Sequence, residues 1–210
     1  MQIQVEHHLT KEIMETVFRM YDENFSPHVK VAHNKIKKRL YENEYMLLSC
    51  KNDLDEWIGF CLISKNQLLK TIFIDYLCVD KKFQRGGYGK QILNTINDQD
   101  IIPSTQNYKY TILECEDYLI PYYEKNRYKK IPLVYPIENS KPLFLLYRVR
   151  KSSQTENVLE MYHKFIFYGL LFNNEIIMCY LAFMIFYENL GLFHQSYIIH
   201  VIMNFKTTHT

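Results

Sequence analysis

Residues 77–90 read LCVDKKFQRGGYGK, and their interpretation decides the fold of the chain. An apolar and β-branched run precedes the glycines (Ile72, Phe73, Ile74, Leu77, Val79), and an apolar-periodic run follows them (Ile92, Leu93, Ile96). The pattern predicts a strand, a glycine-rich turn and a helix. Such a turn aims several backbone N–H groups and a helix N-terminus at one point, which suits phosphate oxygens. Gly86, Gly87 and Gly89 let the main chain turn with positive φ and approach a ligand closely. Arg85 and Lys90 add positive charge beside them.

Two common phosphate loops do not fit. A Walker loop needs a hydroxyl residue after its lysine, and Lys90 is followed by Gln91. The dinucleotide spacing G-x-G-x-x-G is absent. The pattern Gln/Arg-x-x-Gly-x-Gly/Ala is satisfied by Gln84, Gly87 and Gly89, between the strand residues Tyr76–Val79 and an amphipathic helix. In this, the segment resembles the acyl-coenzyme A pyrophosphate loop of the GNAT acetyltransferases. The competing reading is a strand-to-helix turn without a ligand.

Working outward, Ile3–Val5 reads as a short edge strand and Thr10–Tyr21 as a helix capped by Thr10. Lys30–Glu44 reads as a second helix, whose Lys30, Lys35, Lys37, Lys38 and Arg39 form a solvated basic face. It lacks the aromatic interleaving of a dedicated nucleic-acid surface. Tyr45–Cys50 and Trp57–Ser64 are strands around an Asn52–Glu56 turn, and Phe73–Val79 is a third. The helix after the loop ends near Asp98, and a polar connection containing Pro103 and Ser104 leads to the strand Tyr110–Cys115. A helix over Tyr118–Tyr128, with Asp117 as N-cap and Pro121 in its first turn, precedes strands at Ile131–Tyr135 and Leu143–Arg150. The order β-α-α-β-β-β-α-β-α-β-β implies an α/β (α+β) fold, a mixed sheet flanked by helices. That order is similar to the GNAT fold over residues 1–150.

The resemblance implies a chemistry. Acetyl-coenzyme A is the expected cosubstrate, with no metal. Its phosphates would lie on the N–H groups of Arg85, Gly86, Gly87, Tyr88, Gly89 and Lys90, beside Gln84, and its pantetheine arm along the backbone of Leu77, Cys78 and Val79. Cys78 invites a nucleophile reading, but its place in a strand favours packing. Tyr122–Tyr128 reads YYEKNRY and resembles the family's Tyr-Glu-Lys-x-Gly-Phe segment. Tyr123 matches the tyrosine that protonates the departing sulfur, whereas Tyr122 and Tyr128 read as packing on the sheet. Two departures stand out. Arg127 replaces a glycine, which implies a different helix end, and Tyr118 replaces a frequent asparagine. For the base, alternation puts Asp75 on one face with Phe73 and Leu77, looking into the cleft. Glu114 and Glu116 compete with it, and other GNAT members use ordered water. His7, His8, His28 and His33 have no recurring metal spacing, although His28 and His33 fall where the family shapes its acceptor site.

The expected activity is acetyl transfer to a primary amine, on a protein or a small molecule, by direct attack in a ternary complex. The alternative is an acyl-coenzyme A-binding regulatory or interaction module with weakened turnover. The five cysteines form no C-x-x-C pair and read as free thiols of a reducing, cytoplasmic compartment. The net charge of +2 argues neither for nor against a polyanionic partner. Beyond a GNAT-like domain at 1–150 and a polar linker at 151–157, residues 158–210 form an apolar extension. Asn173, Asn174, Glu175, Glu188 and Asn189 keep its runs short of a membrane span. The sequence favours packing of 158–205 on the main domain or on a second copy, as a homodimer, over membrane association.

Overall fold

The computed structural model describes residues 1–67, 70–99, 101–102, 107–135 and 143–150, with backbone alone for 132–135. The connection through Pro103 and Ser104, the turn at 136–142, Cys179, the 151–157 linker and the 158–210 extension lie outside the described residues. Seven strands form one mixed sheet: β1 (Gln2–Val5), β2 (Tyr45–Lys51), β3 (Trp57–Asn66), β4 (Thr71–Val79), β5 (Tyr110–Cys115), β6 (Lys129–Tyr135) and β7 (Leu143–Val149). Their order across the sheet is β1-β2-β3-β4-β5-β7-β6. The sequential strands β1 to β4 pair antiparallel, as short turns require, and β4–β5 is the parallel pair. Between those two the chain crosses over through α3 (Tyr88–Asp98), as a parallel connection must.

Each face of the sheet carries its own apolar layer. α1 (Lys11–Asn24) turns Met14, Val17, Phe18 and Tyr21 inward, and α2 (His33–Tyr41) adds Ile36 and Leu40. These pack on Leu47, Phe60, Leu62, Tyr76 and Cys78. On the opposite face, Leu93 and Ile96 of α3 and Tyr123 of α4 (Ile120–Lys125) join Cys61, Ile63, Ile72, Ile74, Leu113 and Leu146. Each such buried side chain contributes about 1.5–3 kcal/mol of transfer free energy. Cys50, Cys61, Cys78 and Cys115 are buried free thiols.

The Thr10 cap is present, its hydroxyl accepting from the Ile13 N–H at 3.2 Å. The second helix is shorter than its basic periodicity suggests. Tyr21 accounts for this: its hydroxyl accepts from Val31 N–H at 2.7 Å and donates to Val31 O at 3.1 Å, which holds Val31 outside a helix. Likewise only Ile120–Lys125 of the Tyr118–Tyr128 segment is α-helical, behind a 3-10 turn at Asp117–Leu119. Its end keeps the left-handed residue expected of a glycine, because Arg127 adopts φ +67°. Tyr128 N–H reaches Tyr123 O at 3.0 Å and Arg127 N–H reaches Glu124 O at 2.9 Å, a Schellman closure. The expectation that Arg127 alters the helix end is therefore corrected: hydrogen bonding holds an arginine where glycine costs less.

Candidate active site

Asp75 marks the point where the sheet opens. The β4–β5 ladder runs from Thr71↔Tyr110 to Ile74↔Leu113, while β5 continues to pair with β7 through Cys115↔Phe144. Opposite, the β3–β4 register passes from Ile63↔Ile74 to Leu62↔Tyr76, so Asp75 is an extra residue in β4. Such a bulge bends its strand and swaps the faces on which the later residues of that strand lie. Ile72 and Ile74 face α3 and α4, and so do Leu77 and Val79, whereas Tyr76 and Cys78 face α1. Asp75 thus shares its face with Tyr76 and not with Leu77. The expectation from strict alternation is corrected by the bulge.

Among the described residues, the opening leaves backbone groups of β4 without a partner strand on that side. Asp80 O accepts from Phe83 N–H at 2.8 Å, while Asp80 N–H donates to Ile58 O at 2.8 Å, so this N–H and the polar groups of Cys78 and Tyr76 turn toward β3. By the same alternation Leu77 and Val79 turn theirs toward the gap that β5 has left. Val79 O is bonded there by Gln84 Nε2 at 3.0 Å. Of Leu77, Cys78 and Val79, the register turns the backbone polar groups of Leu77 and Val79 to the gap and those of Cys78 to β3. The Cys78 thiol is buried against Met20 O at 3.7 Å, and burial above all raises its pKa to about 12, which suits packing and not nucleophilic attack.

Below the gap, the loop is pinned to α1 at two points. Asp80 accepts from Lys82 N–H at 3.1 Å and from Arg19 Nη2 at 2.9 Å. Gln84 Nε2 also donates to Asn24 Oδ1 at 2.8 Å. Gln84 therefore acts through its side chain as an anchor of the loop. Arg85 and Gly87 follow in left-handed conformation, at φ +65° and +78°. Gly87 caps α3 without a side-chain bond, so the N–H groups of Tyr88, Gly89 and Lys90 have no acceptor within the helix. Gly86 N–H is drawn back to Phe83 O at 3.4 Å. Gln84, Arg85, Gly86, Gly87 and Lys90 are exposed. A Cβ at Gly87 would meet nothing within 4 Å, whereas one at Gly89 would come within 2.5 Å of the Tyr122 hydroxyl. Exposed N–H groups, a helix N-terminus and two cations form a cradle that fits a pyrophosphate.

Tyr123 sits on the α3/α4 face, 9% exposed, with its ring 5.1 Å from Tyr122 and 5.8 Å from Tyr128. Burial, and then the neighbouring Cys115, raise its pKa well above the usual phenol range. Tyr128 is enclosed, bonded to Asn97 Nδ2 and Thr111 Oγ1, both at 3.1 Å. Tyr122 is not a sheet-packing residue as expected; its hydroxyl lies beside Gly89 at the start of α3. Tyr118 is 66% exposed.

On the other face, Asp75 accepts from Ser64 Oγ at 2.8 Å and from the Tyr45 hydroxyl at 3.2 Å. Burial outweighs these bonds and holds its pKa above the ordinary carboxylate value. Glu114, next along β5 after the last ladder pair, is raised as well, first by desolvation and then by the charge of Asp75. Glu116 lies 3.1 Å from His28 Nε2, so the α1–α2 connection reaches the end of β5. Tyr76 OH holds the same connection through Val29 O at 3.0 Å. His33 is turned to Asp22 at 3.0 Å and stacks on Phe18. Tyr45, Ser64, Asn24 and Tyr122 are site residues that the sequence reading missed. Their types are ordinary for strands and helices, and only the register reveals them.

The model of the acetyltransferase (GNAT) family matches residues 10–127. No curated protein matches the chain. Solved structures with the same fold include GCN5 of Tetrahymena, 14% identical, covering 73% of this chain and 98% of that one at a TM-score of 0.53. An aminoglycoside 6′-N-acetyltransferase complexed with coenzyme A is 12% identical, covering 75% and 100% at a TM-score of 0.56. The ribosomal-protein-S18-alanine N-acetyltransferase from Escherichia coli is 13% identical, covering 74% and 98% at a TM-score of 0.54. At these identities the similarity is one of fold. The family match itself runs without interruption from the cap of α1 through the split strand and the phosphate cradle to Arg127, and on that ground the chain belongs to the GNAT acetyltransferase family.

Proposed function

We propose that this chain transfers an acetyl group from acetyl-coenzyme A to a primary amine by direct attack with both substrates bound. One observation carries the reading: the β4–β5 ladder ends at Ile74↔Leu113, directly above a loop of exposed N–H groups. Acetyl-coenzyme A supplies an activated thioester when bound. The N–H groups of Arg85, Gly87, Tyr88, Gly89 and Lys90 hold its phosphates, and Arg85 and Lys90 neutralise part of their charge. Leu77 and Val79 bond its arm as a neighbouring strand would.

Tyr123 and Asp75 approach the gap from opposite faces of the sheet. This suits a reaction in which a proton is removed on one side and delivered on the other. Tyr123 keeps its proton at neutral pH because it is buried, and among the described residues no hydrogen bond occupies its hydroxyl. It gives that proton to the departing sulfur. Asp75 takes the proton of the amine on a lone pair that Ser64 and Tyr45 leave open. Burial raises its pKa, which makes it a stronger base than a solvated carboxylate. Glu114 stands beside it as a second carboxylate facing the acceptor side.

The acceptor is a primary amine of a protein or of a small molecule, reached beneath the connection that carries His28. The left-handed end of α4, retained at Arg127, removes one reason to read the chain as a binding module without turnover. Calorimetry with acetyl-coenzyme A and thiol release over a panel of peptides and polyamines test the reading. Tyr123→Phe is expected to lower turnover by about 10²–10⁴-fold at unchanged cofactor affinity. Absence of acetyl-coenzyme A binding would overturn the proposal.

A further inference from the structure

We propose that Tyr45, backed by Arg39, is the positioning residue for the base Asp75, which makes α2 part of the acyl-transfer machinery. The inference rests on Asp75 being the base. Asp75 is the extra residue of the β4 bulge, so the ladder does not hold it as it holds its neighbours. Its carboxylate is fixed instead by side chains from two other strands, Ser64 of β3 at 2.8 Å and Tyr45 of β2 at 3.2 Å. Tyr45 is fixed in turn from α2. The Arg39 guanidinium lies 3.9 Å from the centre of its ring, and Arg39 Nη1 donates to its hydroxyl. Arg39 is itself held by Glu44 at 3.1 Å.

The direction of these bonds follows from chemistry. A guanidinium has no acceptor, so the Tyr45 oxygen accepts from Arg39 and its single proton goes to Asp75 Oδ1. Ser64 donates to Oδ2. Both donors favour the carboxylate over the acid, and each occupies one lone pair, leaving the others for an incoming proton. The groups facing Asp75 are Arg39 from α2, Tyr45 from β2, Ser64 from β3 and Glu114 from β5, while Cys61, a thiol on the opposite face of β3, feels its charge through the sheet. Ser64, Arg39 and Tyr45 oppose burial, which favours the protonated form.

The prediction is a shift in the pH profile. Removing the Tyr45 hydroxyl leaves burial less opposed, so Asp75 holds its proton to higher pH. In Tyr45→Phe the acidic limb of kcat/KM should move up by about 1–2 pH units, the loss of one hydrogen bond to a charged group. Arg39→Gln should move it the same way by less, and Arg39→Lys should restore part of the shift by keeping the charge. Acetyl-coenzyme A affinity, measured by calorimetry on the full chain, should be unchanged in all three. A residue that only supports the fold would lower kcat/KM by one factor at every pH, and an unshifted limb in Tyr45→Phe overturns the inference. Asp75→Asn separates the two readings. If it abolishes the limb, Asp75 is the base and the Tyr45 result decides. If the limb persists, Asp75 is not the base, and the positioning role fails with it while acetyl-coenzyme A binding stands.

Discussion

Gly59→Ala should damage both stability and cofactor binding, and its effect can be worked from the sheet. Gly59 of β3 lies opposite Val79 of β4, the strand that presents Leu77 and Val79 to the gap. An added Cβ would be driven against the Cys78 carbonyl oxygen, far inside the 3.0 Å that real Cβ atoms keep, with the Cys78 carbonyl carbon and Val79 Cα at 3.2 Å. These are backbone atoms of a central strand, so no rotamer change relieves the clash. β3 and β4 must part by about 1 Å, at an overpacking cost of about 3 kcal/mol, the upper end of the usual range. For a domain of this size that lowers Tm by roughly 6–12 °C. The same displacement moves the Leu77 and Val79 groups off hydrogen-bonding distance of the proposed arm. Losing one or two such bonds, at about 1 kcal/mol each, weakens acetyl-coenzyme A by roughly 5–30-fold. Urea unfolding and calorimetry read the two effects separately. A Gly59→Ala protein within about 0.5 kcal/mol of the parent, with unchanged cofactor affinity, would refute the register on which the site is built.

Three further outcomes are expected from other parts of the fold. Arg127→Gly should stabilise the protein by about 1 kcal/mol, because glycine takes the left-handed φ of +67° without Cβ strain; a lower urea midpoint would contradict this. Arg148 is 4% exposed and bonds Asp98 at 2.9 and 3.0 Å, Asn94 at 3.0 Å and Asn126 O at 3.1 Å, joining α3 to the end of α4. Arg148→Met should therefore cost about 3–5 kcal/mol in equilibrium unfolding, since it strands a carboxylate. Asp80 is pushed up by burial, but its bonds from Arg19 and Lys82 N–H prevail and leave its pKa lowered. A depressed carboxylate contributes stability above its unfolded pKa and loses it as pH falls through the folded value. The stability difference between the parent and Asp80→Asn should thus be full at pH 7 and shrink below about pH 4; a difference constant to pH 2 would exclude the linkage.

Features that depend on neighbours in the chain could be read before folding. The Thr10 cap and the Asn52–Glu56 turn are set by local backbone preferences and stand as the residues suggest, and so does the strand–turn–helix order around Gln84–Lys90. The order of strands and helices was legible for the same reason, because periodicity reports which side of an element is buried. The end of α4 is set locally, by the bonds of Arg127 and Tyr128 back to Glu124 and Tyr123, but other departures involve contacts more distant in sequence. The length of α2 depends on the Tyr21 hydroxyl ten residues away, and the role of Gln84 on Asn24 and Val79 O.

Contiguous residues were enough to specify a strand, a glycine-rich turn and a helix and, through their resemblance to the GNAT loop, the family fold. The tertiary structure decided where the strand breaks. A bulge exists only between paired strands, because it is a mismatch of two registers and has no signature in either strand alone. Pairing of β3 with β4 makes Asp75 the unmatched residue, turns it from the face of Leu77 to that of Tyr76, and brings Ser64 and Tyr45 to its carboxylate. The turn at Gln84–Lys90 is thus written in contiguous residues, while the surroundings of Asp75 come from three strands and a helix that only folding brings together.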